Sequence, residues 1–233
     1  MTTHFGVKVL NRDGELKLTT DNYVKKSDKD NAVSFEESKL KLEKVMTRFD
    51  LNMRYFKSLS WINFNEELSK FVISNNFYEI NDLNYVEDIY GFYVMVLDEY
   101  CQIYIGTSSR GHGIKSRIPQ HWREQISFDR LRCEDSGSFV IDSFRALDTT
   151  RIFVCPDDEH KFYEDYTLNE FLEGRLVAKF PVDYCLNQSM SSIPKEFLFE
   201  RLRERDLRDL KVYGKSHLTS KFERISQRAE KKS

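Results

Sequence analysis

The chain has little of the residues that break or staple structure. Of 233 residues only 9 are glycine and 4 are proline, and no proline precedes Pro119. That excludes collagenous, elastic and proline-rich linker classes. The four cysteines, Cys101, Cys133, Cys155 and Cys185, lie 32, 22 and 30 residues apart, so no pair has the short spacing of a zinc knuckle or redox motif. They read as reduced cytosolic thiols. Charge of one sign is also lacking: 36 Lys+Arg face 38 Asp+Glu, a formal net charge of −2. This excludes a protein that coats nucleic acid by charge alone, but not an enzyme with a local basic surface. No apolar run reaches the roughly 18 residues of a membrane span. The first residues show no basic segment followed by an apolar one. A soluble cytoplasmic protein is therefore expected.

What is present suits a globular core: 40% hydrophobic residues, including 18 Phe and 12 Tyr. The near-neutral total conceals alternating blocks. Residues 61–100 carry eight acids and one Lys, whereas 107–133 carry six basic residues and two acids. Residues 155–184 have eight acids to three bases, and 195–233 have twelve bases to seven acids.

Val7-Lys-Val-Leu10 and Glu15-Leu-Lys-Leu-Thr19 flank Asp13-Gly14 and predict a hairpin. Ser34 followed by Glu37 is a capping-box pattern, and Leu40, Val45, Phe49, Leu51 and Phe56 behind it predict a helix from about residue 35 to 57. Residues 63–76 predict a second helix, closed by Asn75-Asn76. Gly91-Phe-Tyr-Val-Met-Val-Leu97 and Gln102-Ile-Tyr-Ile-Gly-Thr107 predict a β-hairpin. Ile114, Ile118, Trp122 and Ile126 form an apolar stripe over a helix at 114–126, in which Ser116 as N-cap would put Pro119 in the first turn. A third strand is expected at 151–155. A further helix is expected at about 165–179, burying Leu168, Phe171, Leu172, Leu176 and Phe180. The segment 131–150 reads as an insertion.

The hairpin register decides the chemistry. If Leu97 pairs with Gln102, Tyr93 opposes Gly106 and Met95 opposes Tyr104, which puts Tyr93 and Tyr104 diagonally on one face. A three-residue loop would separate them. Arg117 and His121, spaced i, i+4, share one side of the following helix.

Gly91-Phe92-Tyr93, then Tyr104-Ile105-Gly106, then Arg117-x-x-x-His121 resembles the signature of the GIY-YIG nuclease family. Glu173-Gly-Arg-Leu-Val177 and the trailing Asn187 are similar to the family's Glu-bearing helix and Asn. The resemblance covers about residues 91–188. Phe92 replaces the name-giving Ile. Either Arg117 or Arg110 can be the family arginine, and the spacing to His121 favours Arg117. The resemblance implies that Tyr93 is the general base, with Tyr104 and His121 organising the water or relaying its proton. A phenol with an ordinary pKa near 10 can do this only if its ionisation is favoured by its surroundings. It further implies that Arg117 holds the scissile phosphate, that Glu173 binds one divalent cation (Mg²⁺ or Mn²⁺) per active site, and that Asn187 supports the site.

Without that ordered set, two tyrosines on neighbouring strands are ordinary sheet residues, Arg117 and His121 a solvated helix flank, and Glu173 an exposed acid. His112 reads as a loop residue and Asp157-Asp-Glu-His160 as a solvated turn. Arg110, Lys115 and Arg123 near the site, and Arg201, Arg205 and Arg208 at i, i+4, i+7, are candidate DNA contacts. A self-paired solvent face explains the last three equally well, because acids interleave with them.

The expectation is thus an α+β protein: a small, mainly antiparallel sheet flanked by helices at 91–188, an N-terminal region at 1–90 of unassigned role, and a charged helical arm at 189–233. The expected function is Mg²⁺-dependent endonucleolytic cleavage of double-stranded DNA in a restriction or defence role, with a homodimer left open. A homing or mobile-element endonuclease is the alternative enzyme. A non-catalytic nucleic-acid-binding or protein-interaction module is the alternative of another class.

Overall fold

A computed structural model describes residues 1–10, 35–108, 112–123, 140–156 and 166–187. The chain opens with two short antiparallel strands, β1 (Thr2–His4) and β2 (Val7–Val9), with Thr2 opposite Val9. Phe5 and Gly6, both at positive φ, make the two-residue turn between them, as the right-handed strand twist favours. Glycine is needed at position 6 for a second reason: an added Cβ would lie 2.8 Å from Asp82 Oδ2. The hairpin expected across Asp13-Gly14 has its second strand outside the described residues, and β2 pairs with β1 instead.

Two helices follow, α1 (Phe35–Ser58) and α2 (Trp61–Ser74). α2 begins and ends two residues earlier than the sequence predicts. Its N-cap is Ser60, whose hydroxyl accepts from Asn63 N at 3.3 Å, and Asn75 serves as C-cap. Of the apolar stripe expected on α1, Phe49 and Phe56 are buried, whereas Leu40 is exposed. The proposed cap Ser34 lies outside the described residues.

A four-stranded sheet holds the centre, in the order β3 (Tyr78–Ile80), β6 (Arg151–Pro156), β4 (Gly91–Leu97), β5 (Gln102–Thr107), with every pairing antiparallel. β4 has neighbours on both sides and all seven of its residues are buried, which explains its unbroken apolar run. One face of the sheet carries Tyr93, Met95, Leu97, Ile152 and Val154. These join Phe49, Tyr55 and Phe56 of α1 and Ile114, Ile118 and Trp122 of α3 (Ile114–Arg123) in one core. The opposite face carries Phe92, Val94, Val96, Ile103, Ile105 and Phe153. These pack with Phe64, Leu68 and Phe71 of α2 and Val177 of α4 (Tyr166–Ala178). The architecture is α+β, an antiparallel sheet between helical layers. Residues before position 90 contribute β3 to the sheet and side chains to both cores.

Two local readings need correction. Ser116 is not a cap, because α3 already starts at Ile114 and the Gly113 carbonyl accepts from both Ser116 N and Arg117 N at 3.0 Å. Pro119 therefore sits inside the helix, buried, where its missing N–H removes one ladder bond. On α4, Leu172 and Leu176 are only partly buried; the enclosed positions are Glu173, Gly174 and Val177, along with Phe180 beyond the helix end. The faces of Leu168 and Phe171 lie outside the described side chains.

Candidate active site

Strand register assembles the site. Tyr93 opposes Gly106 and Met95 opposes Tyr104, the pairing expected from the sequence. The connection keeps that register with four residues: a 3₁₀ turn over Asp98–Tyr100, then Cys101 in the left-handed region. The Tyr93 and Tyr104 rings consequently lie with centroids 6.4 Å apart.

Gly106 is what lets the Tyr93 ring cross β5. A Cβ at that position would overlap the phenol carbon and hydroxyl of Tyr93, and would stand 2.7 Å from its Cε2. Backbone bounds one side of the gap and a fully buried ring the other, so neither can yield cheaply. Gly106→Ala is expected to destabilise the protein by about 1–3 kcal/mol, the usual cost of overpacking, measurable as a lower denaturant midpoint. An unchanged midpoint would mean that the ring can move aside.

α3 sets His121 against both phenols. Its Nε2 is 2.9 Å from Tyr93 Oη, and its ring meets Tyr104 edge to face at a centroid distance of 5.0 Å. On its other side, His121 Nδ1 lies 2.7 Å from Asp142 Oδ1. Asp142 sits in the 3₁₀ turn Ile141–Ser143, within the segment read as an insertion. No spacing rule ties it to the Tyr-Arg-His set, and it was not among the expected site residues. Arg117, one turn before His121, donates from Nη1 to Gln120 Oε1 at 2.8 Å, and its guanidinium also hydrogen-bonds and electrostatically favours the ionised Tyr93 phenol.

That favour is outweighed. Tyr93 has no exposed surface, and burial pushes its phenol well above the ordinary value of 10, with the charges of Glu173 and Asp142 adding to the shift against Arg117. Tyr104 is shifted the same way, first by burial and then by the neighbouring Tyr93 and Glu173. The condition stated for a tyrosine base, surroundings that favour its ionisation, is not met because burial outweighs Arg117. Burial thus favours the neutral form of both phenols.

Glu173 projects from α4, which packs along β5, and is buried at 8% relative exposure. Its charge acts on both phenols, so it belongs to the same cluster. Asn187 works on the outer edge of β5, where Ile103 already bridges Cys185: its Oδ1 accepts from Ile105 N at 2.9 Å and its Nδ2 donates to Ile105 O at 2.7 Å. The side-chain amide thus stands in for a neighbouring strand next to Tyr104, satisfying backbone groups that an edge leaves unpaired.

Tyr93, Tyr104, Arg117, His121 and Glu173 are therefore brought together, with Asn187 behind β5. Of the candidate DNA contacts, Lys115 pairs with Glu87 at 2.7 Å, which weakens its case, and Arg123 is exposed. Arg110, Arg201, Arg205 and Arg208 lie outside the described residues, as does Asp157-Asp-Glu-His160. Among the described residues no group of three or more His, Cys, Asp or Glu side chains could hold a metal together. One buried carboxylate beside polar phenols fits a hard cation that takes a single protein ligand and completes its shell with water and phosphate oxygens.

No protein-family model matches the chain, and neither the search of curated proteins nor that of solved structures found a match. No helix among the described residues is long and apolar enough to cross a membrane.

Proposed function

We propose that the protein is a metal-dependent endonuclease of GIY-YIG type that hydrolyses DNA phosphodiester bonds. The observation that carries this reading is the buried Tyr93–His121 hydrogen bond within a cluster that also contains Tyr104, Arg117 and Glu173. Hydrolysis needs a proton acceptor for the attacking water, cationic donors for the phosphate oxygens, and charge stabilisation for the departing 3′ oxygen.

Each need has a residue here. The Tyr93 oxygen takes the water proton as its own proton passes to His121 Nε2, so no standing phenolate is required. The water oxygen bonds to phosphorus as the P–O3′ bond breaks. Arg117 supplies a planar fork for the phosphate oxygens. Glu173 would hold a divalent cation, which when bound supplies positive charge to the leaving oxygen. Arg117 and Tyr104 are the partly exposed members of the cluster, so the phosphodiester approaches from their side. Mg²⁺ or Mn²⁺ is the cation whose preferences match the single carboxylate.

Plasmid DNA incubated with the protein and Mg²⁺ is expected to be nicked or linearised, and excess chelator is expected to stop cleavage without releasing the DNA. Cleavage that persists in chelator would overturn the metal-dependent reading. Stable binding with no cleavage under any divalent cation would favour the non-catalytic module. Mapping the cut sites then separates a restriction role, with short and frequent sites, from a homing role, with one long site.

A further inference from the structure

We infer that Asp142 is a positioning residue that fixes the tautomer and orientation of His121, making Asp142–His121–Tyr93 one proton relay. The inference deepens the endonuclease reading and, for its effect on turnover, rests on it. An ionised carboxylate can only accept a hydrogen bond. At 2.7 Å from His121 Nδ1, Asp142 therefore requires that this nitrogen carry the proton of the neutral ring. Nε2 is then left with a free lone pair, 2.9 Å from the Tyr93 hydroxyl, which must donate to it. Without a carboxylate partner the ring is free to hold its proton on Nε2, where it would donate toward Tyr93 and could not take that proton.

Every group that faces the imidazole agrees with this polarity. Tyr93 and Tyr104 meet the ring as neutral phenols, and Asp142 is the carboxylate hydrogen-bonded to it. Position adds a second argument. His121 is 7% exposed in its side chain and Asp142 21%, so the imidazolium formed during the reaction is stabilised by a carboxylate that reaches solvent, through which the proton can leave. The turn is held for this purpose by its own frame: Val140 N donates to Ser143 Oγ at 3.2 Å, and Ser143 N donates to Val140 O at 2.8 Å.

The test separates the relay from the overall function. ¹⁵N NMR of the His121 ring in the full chain, without DNA or metal, is expected to show a protonated Nδ1 and an unprotonated Nε2. In Asp142→Asn and Asp142→Ala the Nε2-protonated form is expected to grow. With plasmid substrate, Asp142→Asn is expected to lower kcat on the order of 10²-fold with KM changed by less than about twofold, because the residue does not touch the phosphate. In a His121→Ala background, adding Asp142→Ala is expected to cost nothing further, since Asp142 acts only through His121. A wild-type ring protonated on Nε2, or equal losses from Asp142→Ala with and without His121, would overturn the inference. The predicted tautomer in a protein that cuts no nucleic acid would instead leave the relay standing and refute the endonuclease reading.

Discussion

Glu173→Gln is expected to lower DNA cleavage on the order of 10³-fold while leaving the fold and DNA binding intact. The substitution keeps the shape of a side chain that is 8% exposed and removes only its charge. The loss follows from the role of a bound cation, which contributes several kcal/mol of charge stabilisation at the leaving oxygen, and about 1.4 kcal/mol is worth a factor of ten. Because no group of three or more His, Cys, Asp or Glu side chains among the described residues could hold a metal without it, the defect should not be rescued by raising Mg²⁺ modestly. Glu173→Ala should be equally inactive but less stable, since it also vacates a buried position. Cleavage assays at matched protein concentration, with a mobility-shift measurement in chelator, check both. Wild-type rates in Glu173→Gln would remove this residue from the site.

Tyr93→Phe is expected to lower kcat by about 10²–10⁴-fold, the range that general acid–base transfer supplies, with little change in DNA affinity. The ring still fills the space over Gly106, so packing survives. What disappears is the hydroxyl that donates to His121 Nε2 at 2.9 Å. The buried imidazole nitrogen then lacks its donor, and stability is expected to fall by about 1–3 kcal/mol as well. The two measurements discriminate: a purely structural tyrosine would show the stability loss with near-normal turnover in the folded fraction. Tyr104→Phe should be milder on both counts, because the Tyr104 contact with His121 is between rings and survives the change. Activity in Tyr104→Phe lower than in Tyr93→Phe would reverse the assignment of the two phenols.

Much of the scaffold was legible because it depends on short-range rules. The β-type runs at 91–97 and 102–107, with Leu97 paired to Gln102 across the four residues between them, place Tyr93 opposite Gly106, as the ladder shows. The i, i+4 spacing put Arg117 and His121 on one side of α3. Helix ends were less legible. Ser60, not a residue nearer Asn63, caps α2, and Gly113, not Ser116, opens α3; several polar residues could each have capped, and only the packed backbone selects among them. The partner of β2 was missed because Phe5-Gly6 carries no Asn-Gly or Asp-Gly signal, and its turn depends on an aromatic residue accepting positive φ.

Composition and pattern alone therefore determined a mixed α and β chain with a local tyrosine hairpin and a basic helix after it, since hydrophobic period and turn length are properties of neighbours in sequence. Tertiary structure alone decided the charge states and the partners. It enclosed Tyr93 so that burial outweighs the guanidinium of Arg117, buried Glu173 where a lone acid would be expected in water, and carried Asp142 across 21 residues of sequence to His121. Desolvation and Coulomb energies depend on what surrounds a group in space, and no spacing along the chain encodes that.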